Sequence, residues 1–202
     1  MKKILVSLSL LLVSFVTNAI SVDAQLLKDK LATFDNISAT FVQRVNSSEG
    51  KLLNESRGEV TISRPGKFHW FVKTPEEDLI VSNGETIWYY SPFIEQVTLI
   101  NFTDAVNGTP FALLAGATKK QWENYIVEKE GELFTVTNPN QQQATTFVFE
   151  FNNTGNIAKF VVIEEQGQLS EFVLTHKIVT KPVADSLYEF KIPAGVEVDD
   201  QR

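Results

Sequence analysis

Two histidines, a few adjacent carboxylates and one arginine beside a proline stand where chemistry would be sought in this 202-residue sequence. His69 and His176 lie in stretches of alternating polar and apolar residues. Neither sits in a metal-ligand spacing such as HExxH, so each reads as a surface histidine on a strand. Glu76-Glu77, Glu164-Glu165 and Asp199-Asp200 are neighbours in sequence. In an extended chain their carboxylates point to opposite faces, which leaves them as solvated charge. Cysteine is absent, which removes the thiolate nucleophile, and there is no Gly-x-Ser-x-Gly elbow, phosphate loop or dinucleotide fingerprint. No nucleophile can be paired with a base. The sequence therefore predicts a protein that is not an enzyme and uses no catalytic residue, metal or cofactor. Arg64, read alone, is a solvated arginine ahead of the turn proline Pro65.

The other concentration of unusual residues is aromatic. Between Gly58 and Thr98 lie two of the three tryptophans and two of the four tyrosines. In KFHWFVK, Phe68, Trp70 and Val72 fall on one face and Lys67, His69, Phe71 and Lys73 on the other, the period of a half-buried strand. DLIVS and ETIWYY flank Asn83-Gly84, a pair suited to a tight hairpin turn. Glu95 to Ile100 then returns after Ser91-Pro92, so the segment reads as an antiparallel meander. Its apolar side chains have two readings. Phe68, Trp70, Ile80, Trp88, Tyr90, Phe147, Phe149, Phe151, Phe160 and Val162 either form an ordinary dry core beneath a helix or line the concave face of a curved sheet around an apolar ligand.

The elements that must position these residues follow from periodicity. A helix is expected from about Asp23 to Phe34, with Leu26, Leu27, Leu31 and Phe34 on one stripe. Strands are expected at 38–46, 57–63, 67–73, 78–82, 85–90 and 95–101. Short helices interrupt over 102–124, one of them capped by Thr109 with Pro110 in its first position and ended by Gly116. Strands resume at 125–129, 133–137, 145–151, 158–164, 171–177 and 188–191. So many strands in one sheet must curl. The predicted fold is mainly β, a single curved antiparallel sheet of about 11–12 strands forming an incomplete, half-open barrel under a short helical lid.

Met1-Lys2-Lys3, the apolar run Ile4 to Val16 and Thr17-Asn18-Ala19 read as a signal peptide cleaved after Ala19, leaving residues 20–202 as a single domain. The apolar run is too short to span a bilayer. Loss of Lys2 and Lys3 leaves 16 basic against 25 acidic residues, a formal net charge of −9, which argues against nucleic acid as a partner. Without cysteine the mature chain has no lipidation site of its own.

The strings RPGKFHW, NGETIWYYSPFIEQVT, GTPFALLAG and the terminal GVEVDDQR, in this order and spacing, resemble the LolA family of periplasmic lipoprotein carriers over essentially the whole mature chain. The resemblance implies an open-sided barrel that shelters the acyl chains of a lipoprotein beneath a helical lid. It makes Arg64 a latch holding the backbone carbonyls of Leu114 and Ala115, and it has Phe111, Leu113 and Leu114 close against the cavity wall. It also implies a monomer in the periplasm that accepts acylated lipoproteins from a LolCDE-like inner-membrane ABC exporter and delivers them to a LolB-like outer-membrane receptor. The alternative is a periplasmic sensor of lipid or lipoprotein on the same half-barrel, without shuttling.

Overall fold

Alternation of apolar and polar residues at every second position dominates the chain and makes it a sheet protein. The computed structural model describes residues 21–34, 36–106, 111–116, 118–139, 145–176 and 183–202, the side chains of 111, 112 and 119 excepted. The signal peptide expected over 1–19 and the helix start expected at Thr109-Pro110 lie outside these residues.

Helix α1 (Val22–Ala32) is followed by six strands: β1 (Asn36–Asn46), β2 (Leu52–Ser63), β3 (Lys67–Thr74), β4 (Asp78–Asn83), β5 (Thr86–Ser91) and β6 (Gln96–Asn101). Three short helices come next, α2 (Phe102–Val106), α3 (Phe111–Ala115) and α4 (Lys119–Trp122). The chain then adds β7 (Ile126–Glu130), β8 (Leu133–Thr137), β9 (Thr146–Phe151), β10 (Ile157–Ile163) and β11 (Leu169–His176). A 3-10 turn at Asp185–Tyr188 precedes β12 (Glu197–Asp200).

All twelve of these strands belong to one sheet in the order β12-β6-β5-β4-β3-β2-β1-β11-β10-β9-β8-β7. The long pairing of β1 with β11 joins the two halves, with Phe41 opposite Leu174 and Gln43 opposite Phe172. Neighbours are antiparallel except at one edge, where β12 runs parallel to β6. The edges β7 and β12 do not pair with each other. Twist accumulated over twelve strands curls the sheet into a barrel that stays open.

Helix α1 begins with Ser21, whose hydroxyl accepts from the Ala24 N–H (3.1 Å), and it covers the β7 edge. There the backbone N–H of Lys129, directed away from β8, donates to Asp23 Oδ2 (3.0 Å), which satisfies an edge donor that would otherwise seek another chain. The helix buries Ala24, Leu27 and Leu31. At 100° per residue these three lie within about 60° of one another, whereas Leu26 falls on the far side. Leu26 is accordingly 44% exposed, against its expected place on the buried stripe.

The strand expected at 188–191 is also displaced. Tyr188 ends the 3-10 turn with its side chain buried on the outer face of the sheet, its hydroxyl 2.6 Å from Ser63 Oγ. Lys67 holds Asp185 (2.7 Å), and the Phe190 ring meets Tyr90 at 5.3 Å. Residues 185–190 thus cross the sheet as a cover, and pairing is delayed until Glu197–Asp200. Neither histidine is a free surface group: His176 Nε2 contacts the Ile157 carbonyl (2.7 Å), and desolvation holds the half-buried His69 below the ordinary imidazole pKa.

Gly58 in β2 allows a close approach of strand and ring that a side chain would block. A Cβ there would lie 2.0 Å from the Phe71 carbonyl oxygen and 2.6 Å from the Phe41 ring. Gly58→Ala is expected to destabilise the fold by about 1–3 kcal/mol through overpacking of strand against strand, read as a lowered urea midpoint at unchanged m-value.

Candidate functional site

Directly opposed residues of antiparallel strands share a face, so the register fixes which side chains meet on the concave side. One row runs Ala39, Val60, Trp70, Ile80, Tyr89, Thr98 from β1 to β6. The adjacent row runs Phe41, Gly58, Val72, Asp78. The absence of a side chain at Gly58 lets Phe41 lie 4.5 Å from Trp70, ring centre to ring centre. Trp70 in turn meets Phe172 edge-on at 5.4 Å, and Phe172 stacks on Phe160 at 4.3 Å. These rings form an aromatic wall that runs from β3 across β2 and β1 to β11 and β10.

An open cavity of about 590 Å³ sits against this wall. Phe68, Trp70, Ile80, Phe147, Phe160 and Val162 line it, all named from sequence. Val72, Ile87, Tyr89, Ile100, Ala105 and Phe172 complete the apolar lining, and Gln43, Asp78 and Thr98 add its polar groups. Phe149 and Phe151 also point inward but lie deeper. Phe149 is fully buried, and Phe151 packs edge-on against Phe134 at 5.6 Å. They are core rather than wall.

Trp88 and Tyr90 do not face the cavity. Ile80 pairs with Tyr89 and Ser82 with Ile87 across the β4–β5 turn. An even number of turn residues maps even-numbered inward positions of β4 onto odd-numbered ones of β5. Trp88 and Tyr90 therefore point outward, where Tyr90 meets Phe190, while Ile87 and Tyr89 take their expected places. The Asn83-Gly84 turn carried that signal, and size and apolarity obscured it.

Arg64 sits in the turn between β2 and β3, beneath the ends of two helices. Its Nε donates to the Leu114 carbonyl (3.0 Å), Nη2 to Leu113 (3.3 Å) and Nη1 to Leu31 at the end of α1. The Ala115 carbonyl, expected as a partner of Arg64, instead accepts from the backbone N–H of Gly66 (2.8 Å). The last carbonyls of a helix have no partner within it and carry the negative end of its dipole. A cation with fixed, planar donors suits both needs. The turn is itself anchored to β4, because Ser82 Oγ donates to the Gly66 carbonyl (2.8 Å) in a buried bond. Leu113 and Leu114 are buried in the same core as Phe68. The side chain of Phe111 lies outside the described residues.

Among the described residues no cluster of three His, Cys, Asp or Glu could hold a metal, and no helix is long and apolar enough to cross a membrane.

The family model for outer membrane lipoprotein carrier protein LolA matches residues 32–191. The outer-membrane lipoprotein carrier protein of Psychromonas ingrahamii is 55% identical over 205 positions, covering 100% of both chains. That of Aeromonas salmonicida is 44% identical, again over 100% of both. An uncharacterized conserved protein of Thermus thermophilus shares the fold at 13% identity, with a TM-score of 0.53 over 88% of this chain and 99% of its own. With a model match over residues 32–191, which takes in Arg64 and all strands but β12, and full-length identity of this order, the chain belongs to the LolA family of outer membrane lipoprotein carrier proteins.

Proposed function

We propose that this protein is a non-catalytic periplasmic chaperone that takes up the acyl chains of lipoproteins and carries them between membranes. The observation that carries the reading is the aromatic-walled cavity in a sheet whose core also buries Leu113 and Leu114, next to carbonyls that one arginine holds at the ends of two helices. Burial of each methylene contributes about 0.8 kcal/mol, so a ~16-carbon chain resists entry into water by roughly 12 kcal/mol and a triacylated anchor by more than ~30 kcal/mol. Unassisted transit through water is excluded, and a soluble carrier must replace the bilayer with an apolar surface. It must also let go. In this reading the Leu113–Ala115 segment is the lid and Arg64 its latch, and cargo has to offset closure of the empty protein before it is retained.

Loading draws its energy from an ATP-driven inner-membrane exporter of the LolCDE kind, and unloading is to an outer-membrane receptor of the LolB kind. The signal peptide over 1–19 directs the mature chain, residues 20–202, to the periplasm. The sensor alternative is not favoured, since the relatives matched over their full length are named as carriers.

The direct test incubates the mature protein with inner-membrane vesicles that bear the exporter and a radiolabelled lipoprotein. ATP-dependent appearance of label in a soluble complex with the protein is the expected result; label that stays on the vesicles rejects the carrier reading. Arg64→Leu strands carbonyls at two helix ends, each deprived of a charge-assisted bond of about 1.5–3 kcal/mol. It is expected to load normally and to slow transfer to receptor-bearing vesicles by about tenfold or more; transfer rates equal to wild type count against the latch. Val162→Glu, at a half-buried position of the cavity wall, places a charge among apolar groups and is expected to abolish loading while leaving the circular dichroism spectrum unchanged.

A further inference from the structure

One polar feature of the cavity is left unexplained by acyl-chain binding. Asp78 begins β4 in the row Phe41, Gly58, Val72, Asp78, which gives it an inward-facing place in an otherwise mostly apolar lining. Its Oδ1 is buried and has no hydrogen-bond partner. Its Oδ2 receives the Tyr89 hydroxyl at 3.4 Å, long for a bond from a hydroxyl to a carboxylate. A buried carboxylate oxygen without a donor is costly, and such groups persist where they do something.

Among the described residues no cation relieves it. On the adjacent strand β3, Lys67 is engaged by Asp185 (2.7 Å) and Lys73 by Glu59 (2.7 Å); farther along the sheet Arg57 and Arg44 both hold Glu55 (2.9 Å each) and Lys159 holds Glu150 (2.9 Å). The two residues before Asp78 are the exposed Glu76 and Glu77. This stretch of the rim is therefore negative, next to apolar walls that would accept the tail of any amphiphile. Tyr89 covers Asp78 only loosely, being 38% exposed at the same opening. Displacement of its ring by an entering chain would bring the Asp78 carboxylate to the head of that chain.

Building on the carrier reading, we propose that Asp78 is a headgroup filter, accepting hydrogen bonds from the amide N–H groups of an N-acylated peptide and repelling amphiphiles with anionic heads. The need for such a device follows from the cavity itself. Aromatic and aliphatic walls do not distinguish one acyl chain from another, and phospholipid is the most abundant acyl source at a membrane. Discrimination must then lie at the head, where a misplaced like charge acts against the wrong ligand more effectively than added contacts act for the right one. An acylated peptide terminus presents N–H donors there and no anion; a phosphate or free carboxylate presents an anion and no such donors.

The test compares two probes of equal chain length below their micellar concentrations, N-dodecanoyl glycinamide and dodecyl phosphate, by calorimetric titration of the mature protein. Wild type is expected to favour the amide by about tenfold or more, a preference that shrinks as salt is raised. Asp78→Asn, nearly identical in shape, is expected to bring the two affinities within about threefold, mainly by strengthening phosphate binding. Asp78→Ser guards against a result peculiar to asparagine and is expected to behave alike. Equal affinities in wild type, or a preference that survives in both Asp78 variants, overturns the filter and leaves the carrier reading intact. Failure of both probes to bind wild type at all overturns the cavity and the filter with it.

Discussion

The ends of two helices depend on one guanidinium. Helix α3 spans only Phe111–Ala115, far too short to persist on its own, and its stability has to come from docking. Its C-terminal carbonyls are met one by one: Leu113 and Leu114 by Arg64, Ala115 by the Gly66 N–H. The same arginine takes the Leu31 carbonyl of α1. A tripeptide turn, Arg64-Pro65-Gly66, thus determines where both helices sit, and Ser82 of β4 determines where the turn sits through the Gly66 carbonyl. The position of helix α3 is coupled to the strands that wall the cavity through a chain of polar contacts in which each link has a specific partner.

A second constraint comes from the sheet. Strands β3 to β6 have apolar residues on both faces, since their inner rows wall the cavity and their outer rows hold Val81, Val97 and Leu99, all buried. An open cavity on one side means that these strands gain less than usual from their inner face. Cover on the outer face compensates, and the chain supplies it with its own C-terminal segment: Tyr188 against Ser63, Phe190 against Tyr90, and β12 along β6. The chain's own C-terminal segment thus adds burial to the outer face of strands whose inner face borders the open cavity.

This two-sided burial explains which parts were legible in the sequence. Strand positions followed from period-two alternation, and most bounds lie within a few residues of those expected. Half of the aromatic wall was legible as composition, through Trp70 and Phe160, whereas Phe41 and Phe172 read only as further apolar strand positions. What failed was the assignment of faces on β5, where Ile87, Trp88, Tyr89 and Tyr90 are all apolar or aromatic and no polar residue marks the outside; only parity across the turn separates them. The final strand was misplaced for a related reason. Tyr188 to Lys191 alternates like a strand because Tyr188 and Phe190 cover the outer face, and burial beneath a crossing segment produces the same pattern as burial within a sheet. The resemblance placed Leu114 at the latch, but it could not separate a carbonyl held by Arg64 from its neighbour Ala115 held by Gly66. Backbone-to-backbone bonds leave no mark on side-chain identity.

The size of the cavity gives the arrangement its thermodynamic character. At about 590 Å³ it falls within the range of roughly 300–1,000 Å³ typical of sites for one small ligand, too little for a triacylated anchor in full. On the carrier reading, further acyl chain can be admitted only if the surfaces over the cavity move away, so docked helix and bound cargo compete for the same apolar walls. The free energy of retention is then the difference between a large gain, the burial of methylenes, and a large loss, the undocking of Leu113 and Leu114 from a core that holds them almost fully buried. When two large terms nearly cancel, a contribution of a few kcal/mol decides the outcome. Three hydrogen bonds from one arginine are of that order, and so a single side chain far from the aromatic wall can determine whether a loaded carrier holds its cargo or yields it.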